Sequence, residues 1–211
     1  RTPLTAICGY LDLLKDMQTS EEVTRYLAQI TERVNALRQL TEELLHYSIV
    51  TSVQPDKAET LDLCGLLEES LLSFLGVMRQ KNITPTIDLP TQRIMRTLPR
   101  TAVQRIFGNI ISNALKYSDG DFSVSLNEEG TAVFSNTAKH IDTVQVAKLF
   151  DRFYTVESGT TATGLGLSIA KHLTEQLGGI ITAHLENDRL SFVVCFPKTF
   201  PDSQNFLKSD Q

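Results

Sequence analysis

Two short segments constrain what this chain can fold into more than any other feature. The first, Phe107–Ser118, reads FGNIISNALKYS, and the second, Thr163–Ser168, reads TGLGLS. Apolar residues in and before the first segment recur at helical spacing, which predicts a helix with Asn109, Asn113 and Lys116 on the flank of its apolar stripe. In the second segment, two glycines stand where a loop becomes a helix, and the free N–H groups and dipole of a helix start attract anions.

These residue types suit one kind of ligand. Carboxamide oxygens can bind a hard divalent cation without adding charge, and a lysine ammonium can neutralise phosphate oxygens. Each segment alone has an ordinary alternative, namely solvated residues on a surface helix, or glycines that only give the backbone freedom. Together they predict two halves of one pocket for a metal-bound nucleotide.

The same segments resemble motifs of the bacterial sensor histidine kinases. Asn109–Ser118 match the N box of that family, Phe150–Tyr154 match its F box, and Thr163–Leu167 match its second glycine box. Arg1–Thr5 resembles the end of the H box, His-Glu-x-Arg-Thr-Pro-Leu-Thr. The motifs follow the order of the family, and the resemblance covers nearly the whole chain.

The N-terminal part has its own pattern. Apolar residues step by three and four from Leu4, break at Gln18–Ser20, and resume at heptad spacing from Val23 to Ser48. This predicts an antiparallel helical hairpin with a narrow seam on each helix. One hairpin cannot bury two such seams well, so we expect a second copy to complete a four-helix bundle. The alternative is a hairpin folded onto its own globular domain.

The remaining pattern predicts an α+β domain with helices on one face of a mixed sheet. The predicted elements are a strand at 61–63, a helix at 64–79, strands at 83–89 and 93–98, a helix at 99–117, strands at 122–126 and 131–135, helices at 144–153 and 164–177, and strands at 180–185 and 190–196. The resemblance identifies this as an α/β two-layer sandwich of the Bergerat ATP-binding type. The predicted domains are the dimerisation hairpin at 1–50, a linker at 51–58, the ATP-binding domain at 59–200 and a loose tail at 201–211.

The resemblance also implies a role for each matched residue. Asn113 would coordinate Mg²⁺, Lys116 would contact phosphate oxygens, and Tyr117 would border the nucleotide. Asn109 takes the position of a catalytic glutamate in related hydrolysing ATPases. Because an amide cannot accept a proton from water as a carboxylate can, weak ATP hydrolysis is expected.

The resemblance implies that residues 136–163 form a lid that can order around ATP. Three departures from the family should weaken nucleotide binding or alter closure of this lid. The first glycine box of the family, Asp-x-Gly-x-Gly, is absent, and residues 136–140 read NTAKH. The aspartate of that box accepts a hydrogen bond from the adenine amino group. The amide oxygen of Asn136 can accept the same bond, but it carries no charge. Ala162 replaces a common glycine, and Thr155 stands where many members have an arginine that faces the γ-phosphate. A nucleotide-binding pseudokinase therefore stays open.

The H box gives one more candidate residue. Its phosphoacceptor histidine would precede Arg1, so we expect it outside this chain, and none of the histidines present has the acceptor's setting. Thr2 takes the position that helps to orient water during dephosphorylation of the partner regulator, although it could equally be an ordinary helix N-terminal residue. The candidate catalytic residues are Asn109 and Thr2, the candidate metal ligand is Asn113, and the candidate cofactor-binding residues are Asn109, Asn113, Lys116, Tyr117, Asn136, Thr163, Gly164, Leu165, Gly166 and Leu167.

The implied activity is that of an ATP-dependent protein-histidine kinase in a two-component system. ATP and Mg²⁺ would be the cofactors, and the partners would be a second copy and the receiver domain of a response regulator. The chain would be the cytoplasmic part of a membrane sensor that contacts the membrane only through upstream regions. A net charge of −5 without a basic cluster argues against nucleic acid. Two other hypotheses are a hydrolysing ATPase of the same fold and a docking module with an empty pocket.

Overall fold

The computed structural model describes residues 7, 11–12, 21–52, 57–156 and 164–200. The first long element is helix α1, Glu21–Ser52, which ends beyond the predicted boundary at residue 50. Leu27 on this helix is buried, whereas Val23, Ile30 and Leu37 are exposed. Part of the predicted apolar seam therefore faces solvent in the single chain. The predicted first helix of the hairpin lies almost entirely outside the described residues.

The second part of the chain alternates strands and helices. In chain order they are β1 Glu59–Asp62, α2 Leu63–Ser73, α3 Leu75–Gln80, β2 Thr86–Asp88, β3 Met95–Leu98, α4 Arg100–Tyr117, β4 Ser123–Leu126, β5 Thr131–Thr137, α5 Thr143–Lys148, α6 Gly166–Gln176, β6 Ile180–Glu186 and β7 Arg189–Cys195. None of the described helices is both long and apolar enough to cross a membrane.

Five strands form the main sheet in the order β2-β4-β5-β7-β6, and β1 and β3 form a separate antiparallel pair. In the main sheet β2 runs parallel to β4, while the other neighbours are antiparallel. Side chains alternate across β5 and β7, so that Phe134 and Phe192 pair on the buried face. Phe107 of α4 packs on this face, with its ring centroid 5.8 Å from that of Phe134. The predicted α+β class, with helices on one face of a mixed sheet, is confirmed.

Two predicted helices differ from the observed ones. The helix predicted at 64–79 is divided at Phe74 into α2 and α3. Ser73 Oγ donates to Ser70 O at 2.6 Å, a local side-chain bond that competes with regular helix geometry. The helix predicted at 144–153 ends at Lys148, because Leu149 and Phe150 reach the core from a turn rather than from a helix face.

The strand predicted at 83–89 is also shorter, covering only Thr86–Asp88. Ile83 instead closes the end of α3, where its N–H donates to Met78 O at 2.9 Å. Both side chains are buried, with 5% and 1% of their surface exposed. The apolar pattern that predicted a strand start was therefore the hydrophobic contact of a helix C-cap.

Candidate functional site

The asparagine helix is oriented by its apolar stripe. Ile106, Phe107, Ile110 and Ile111 are fully buried between the sheet and the neighbouring helices. Because side chains four residues apart lie on the same side of a helix, Asn109 and Asn113 project together from the flank of that stripe. The core packing of α4 thus determines where the two amides point.

The two amides have unused hydrogen-bonding atoms. Among the described residues, Asn109 Nδ2 and Asn113 Oδ1 are buried and have no hydrogen-bond partner. A buried polar atom without a partner costs about 1–3 kcal/mol, so native proteins retain few of them without a reason. One unused donor and one unused acceptor, one turn apart, are the features expected of a site that binds a polar ligand.

The glycine turn lies against Asn109. Helix α6 begins at Gly166, and a Cβ placed on Gly166 would lie 3.5 Å from Asn109 Oδ1. The start of α6 therefore lies beside the amide of Asn109 on α4. The structure brings together two segments that the sequence separates, which is the arrangement that one pocket for a phosphate chain requires.

Gly164 holds the turn against the segment that follows α5. Its φ of +70° is in the left-handed region, and the Phe153 N–H donates to Gly164 O at 3.0 Å. A Cβ at this position would lie 2.5 Å from the Phe153 carbonyl carbon and 2.6 Å from Tyr154 O. Such distances are too short for any side chain, so this close backbone approach requires glycine.

Leu165 and Leu167, which alternate with the two glycines of the turn, pack into the core. Their side chains are buried, with 1% and 4% of their surface exposed, and both belong to the core. Only their backbone groups are thus available to a ligand. Two other predicted site residues, Thr2 and Thr163, lie outside the described residues.

Asn136 contacts the C-terminal end of α4, whereas the glycine turn contacts Asn109 two turns earlier on that helix. Asn136 is fully buried, and its Nδ2 donates to Thr137 O at 3.1 Å and to Tyr117 O at 3.4 Å. Its Oδ1 has no partner among the described residues. Since both donor positions of the amide are used by carbonyls, the oxygen is the atom left for a ligand.

Lys116 and Tyr117 form the last turn of α4, next to Asn136. The Lys116 ammonium is 4.8 Å from the centre of the Tyr117 ring, a cation–π distance. The ring of His140 is 6.1 Å from the ring of Tyr117, and His140 Nδ1 is 3.7 Å from Asp119 Oδ1. No sequence pattern indicates this contact, because His140 is more than twenty residues from Tyr117 and Asp119 and has no periodic relation to them.

A charged pair supports the strand that carries Asn136. Asp121 accepts a hydrogen bond from the Thr137 N–H at 2.7 Å and pairs with Arg189 at 3.0 Å. Burial acts to raise the pKa of Asp121, but these two partners outweigh it and hold the pKa below its usual value. The end of β5 is thus attached to the loop that follows α4.

This pair predicts a pH-dependent contribution to stability. The charged form of a group with a depressed pKa stabilises the fold above its unfolded pKa of about 3.9, and that contribution is lost as the pH falls through the folded pKa. We expect Asp121→Asn to lower the free energy of unfolding at pH 7 by about 1 kcal/mol, since partial exposure screens the ion pair. Urea unfolding should show the difference vanishing in acid. A difference that persists at pH 2 would exclude this cause.

Two family models match the chain. Residues 99–200 match the family described as "Histidine kinase-, DNA gyrase B-, and HSP90-like ATPase", and residues 1–52 match the "His Kinase A (phospho-acceptor) domain". The first match covers α4 through β7, and the second covers α1 and the residues before it. Together they account for most of the chain in the order that sensor kinases use.

Curated relatives agree with these matches. The chain is 32% identical to the sensor protein VanSC of Enterococcus gallinarum over 211 residues, covering 94% of this chain and 58% of that protein. It is 27% identical to the sensor histidine kinase YcbM of Bacillus subtilis over 210 residues, covering 92% of this chain and 67% of that protein. The chain thus spans little more than half to two thirds of the length of these relatives.

Solved structures share the fold. Full-length ShkA, crystallised with AMPPNP, superposes with a TM-score of 0.68 at 22% identity, covering 95% of this chain and 44% of that one. The histidine kinase AdeS of Acinetobacter baumannii superposes with a TM-score of 0.65 at 22% identity, covering 94% and 96% of the two chains. With its phosphoacceptor-type and ATPase-type regions in this order, the chain belongs to the sensor histidine kinases and represents their catalytic core.

Proposed function

We propose that the whole protein is an ATP-dependent histidine kinase of a two-component system. It would bind ATP with Mg²⁺, transfer the γ-phosphoryl group to a histidine, and pass it on to an aspartate in the receiver domain of a response regulator. The observation that carries the proposal is the approach of the Asn109 amide to the start of α6 at Gly166, with the buried Asn113 Oδ1 one helical turn along α4. The domain boundaries and roles of the site residues given above are part of this proposal.

The base would lie at the Asn136 end of the site. Adenine presents an amino group at its sixth position, whereas guanine presents a carbonyl there. Asn136 Oδ1 is a buried acceptor that has no partner within the described ranges, and the Asn136 Nδ2 is already used by two carbonyls. The amide therefore favours an adenine amino group and leaves a guanine carbonyl facing another oxygen.

The phosphates would lie between Lys116 and the start of α6. The Lys116 ammonium and the N–H groups of Gly164 to Leu167 supply positive charge and donors. Asn113 Oδ1 suits Mg²⁺, because it is a neutral oxygen ligand with an unused lone pair. When bound, Mg²⁺ neutralises charge on the phosphate oxygens. Phosphoryl transfer requires mainly such positioning and charge neutralisation, and this group of residues can provide both.

The chemistry of Asn109 favours a kinase over a hydrolase. Its amide lies beside Gly166 and has no basic oxygen that could take a proton from water. We therefore expect slow phosphate release from this chain with ATP alone. The AMPPNP in the ShkA structure, an analogue that resists hydrolysis, supports ATP as the nucleotide for this fold.

The partners follow from the other half of the chain. A shallow groove on α1 is lined by Gln29, Ile30, Arg33, Val34 and Leu37, and it contains apolar side chains that face solvent. We propose that a second copy covers this surface through the helical hairpin, and that the receiver domain docks nearby. Attachment to a membrane would come from regions of the sensor outside this chain, which itself would lie in the cytoplasm.

A calorimetric titration tests the nucleotide part of the proposal. The chain is titrated with AMPPNP in the presence of Mg²⁺ and again in the presence of a chelator, and then with the corresponding guanine analogue. We expect binding that depends on Mg²⁺ and is about tenfold weaker for guanine. No Mg²⁺-dependent binding at millimolar nucleotide would contradict the proposal.

A further inference from the structure

The last turn of α4 carries both Lys116 and Tyr117. The final carbonyl groups of any helix have no partner within the helix, so the last turn frays unless other groups bind them. In the region that the structure describes, two side chains from distant segments bind these carbonyls. One is Asn136, which donates to Tyr117 O, and the other is Lys81.

Lys81 makes the stronger of the two attachments. Its Nζ lies 2.6 Å from Leu115 O and 3.3 Å from Lys116 O. Hydrogen bonds from an ammonium are stronger than those between neutral groups. A cation at a helix C-terminus also offsets the partial negative charge of the helix dipole.

The backbone of Lys81 is itself held in place. Lys81 caps α3, and Asn82 follows it with a φ of +55°. The Asn82 N–H donates to Arg79 O at 3.1 Å and the Ile83 N–H donates to Met78 O at 2.9 Å. This is a Schellman motif, whose apolar contact here joins the buried side chains of Ile83 and Met78. The ammonium therefore reaches α4 from an anchored position.

We propose that Lys81 is a positioning residue for nucleotide binding, which it supports by holding the last turn of α4. Lys81 and Asn136 fix that turn from two sides, so that Lys116 and Tyr117 keep the orientation in which they meet a ligand. The inference rests on the proposed ATP site. Lys81 itself touches no ligand and acts only through the backbone of Leu115 and Lys116.

The first test does not need a nucleotide. Hydrogen–deuterium exchange of the free full chain reports how often the last turn of α4 opens. We expect Lys81→Met to speed exchange at the amides of residues 115–117 about fivefold or more, and Lys81→Arg to restore slow exchange, since a guanidinium can donate to the same carbonyls. Unchanged exchange in Lys81→Met would overturn the proposal even if ATP binds.

The second test measures affinity for AMPPNP with Mg²⁺. Lys81→Met should weaken binding about tenfold, and Lys81→Arg should recover most of that loss. Arg79→Met is the matched control, because Arg79 is an exposed cation in the same turn of α3. It removes the same charge without removing a bond to α4, and should change affinity less than twofold at 0.5 M salt, where long-range charge effects are screened.

The outcomes separate the two proposals. Equal losses in Lys81→Met and Arg79→Met would mean that net charge alone matters, and would reject positioning by Lys81. Absence of AMPPNP binding in the unmutated chain would reject the proposed function, while the exchange experiment would still decide whether Lys81 holds the turn.

Discussion

Replacing Asn113 by alanine should weaken Mg²⁺-dependent binding of AMPPNP about 100-fold, while binding without Mg²⁺ changes little. The reason is that Asn113 Oδ1 is a buried oxygen with no partner in the part of the chain that the structure describes, and we assign it to the cation. The same substitution removes an unsatisfied buried atom, so we expect the melting temperature to stay constant or rise slightly. Calorimetric titration and thermal unfolding measure the two effects separately.

Two variants on the same helix serve as controls for this result. Ser112 is the exposed neighbour of Asn113, and Ser112→Ala should leave both affinity and stability unchanged. Asn113→Asp keeps an oxygen ligand and adds charge, so it should retain Mg²⁺-dependent binding. If Asn113→Ala bound the Mg²⁺ complex as tightly as the unmutated chain, the metal assignment would be wrong.

Replacing Gly164 by alanine should disturb both the fold and the site. The added Cβ would lie 2.5 Å from a backbone carbon of Phe153 and 2.6 Å from a backbone oxygen of Tyr154, and these atoms cannot rotate away. The left-handed φ of +70° adds backbone strain. We expect a loss of about 2–3 kcal/mol in the free energy of unfolding, together with at least about tenfold weaker AMPPNP binding, because the turn must move.

Gly108 provides the matched control. It lies within α4, and a Cβ there would meet nothing within 4 Å. Gly108→Ala should therefore stabilise the protein by about 0.5–1 kcal/mol through its helix propensity. Urea unfolding of both variants measures the contrast. Similar small effects from the two substitutions would show that the approach of Gly164 to Phe153 is not needed.

The periodic parts of the fold could be predicted from the sequence. Apolar residues at helical spacing predicted α4 with its buried face at Ile106, Ile110 and Ile111, and alternation predicted the strands of the hairpin at β4 and β5. These predictions succeed because burial on one side of a regular element repeats along the sequence. The α+β class followed from the order of the elements and from the family resemblance.

Features that depend on individual contacts, rather than on periodic burial, could not be predicted in this way. The break at Phe74 is accompanied by a bond between Ser73 and Ser70, and Ile83 closes α3 through its bond to Met78. In the sequence, an apolar residue that begins a strand looks the same as an apolar residue that packs at a helix C-cap. Pattern alone therefore assigned a strand to residues that close a helix.

The same distinction holds for the candidate site, where some features could be predicted from the sequence and others could not. Asn109, Asn113 and the glycines were recognised from spacing and from the resemblance, and the structure places Asn109 beside Gly166. The attachment of Lys81 to the end of α4 has no counterpart in the sequence, where Lys81 resembles any surface lysine. The orientation of the Asn136 amide likewise depends on two carbonyls that only folding brings near.

The most direct test of the central claim is paramagnetic broadening of NMR signals by Mn²⁺ substituted for Mg²⁺ in the AMPPNP complex. In the proposed complex, the amides of α4 and the start of α6 bind the same metal-bound triphosphate group of the nucleotide. We predict that the side-chain signal of Asn113 and the backbone signal of Gly166 broaden first and together, and only when both Mn²⁺ and nucleotide are present. Broadening of one without the other, or broadening centred elsewhere in the protein, would contradict the account.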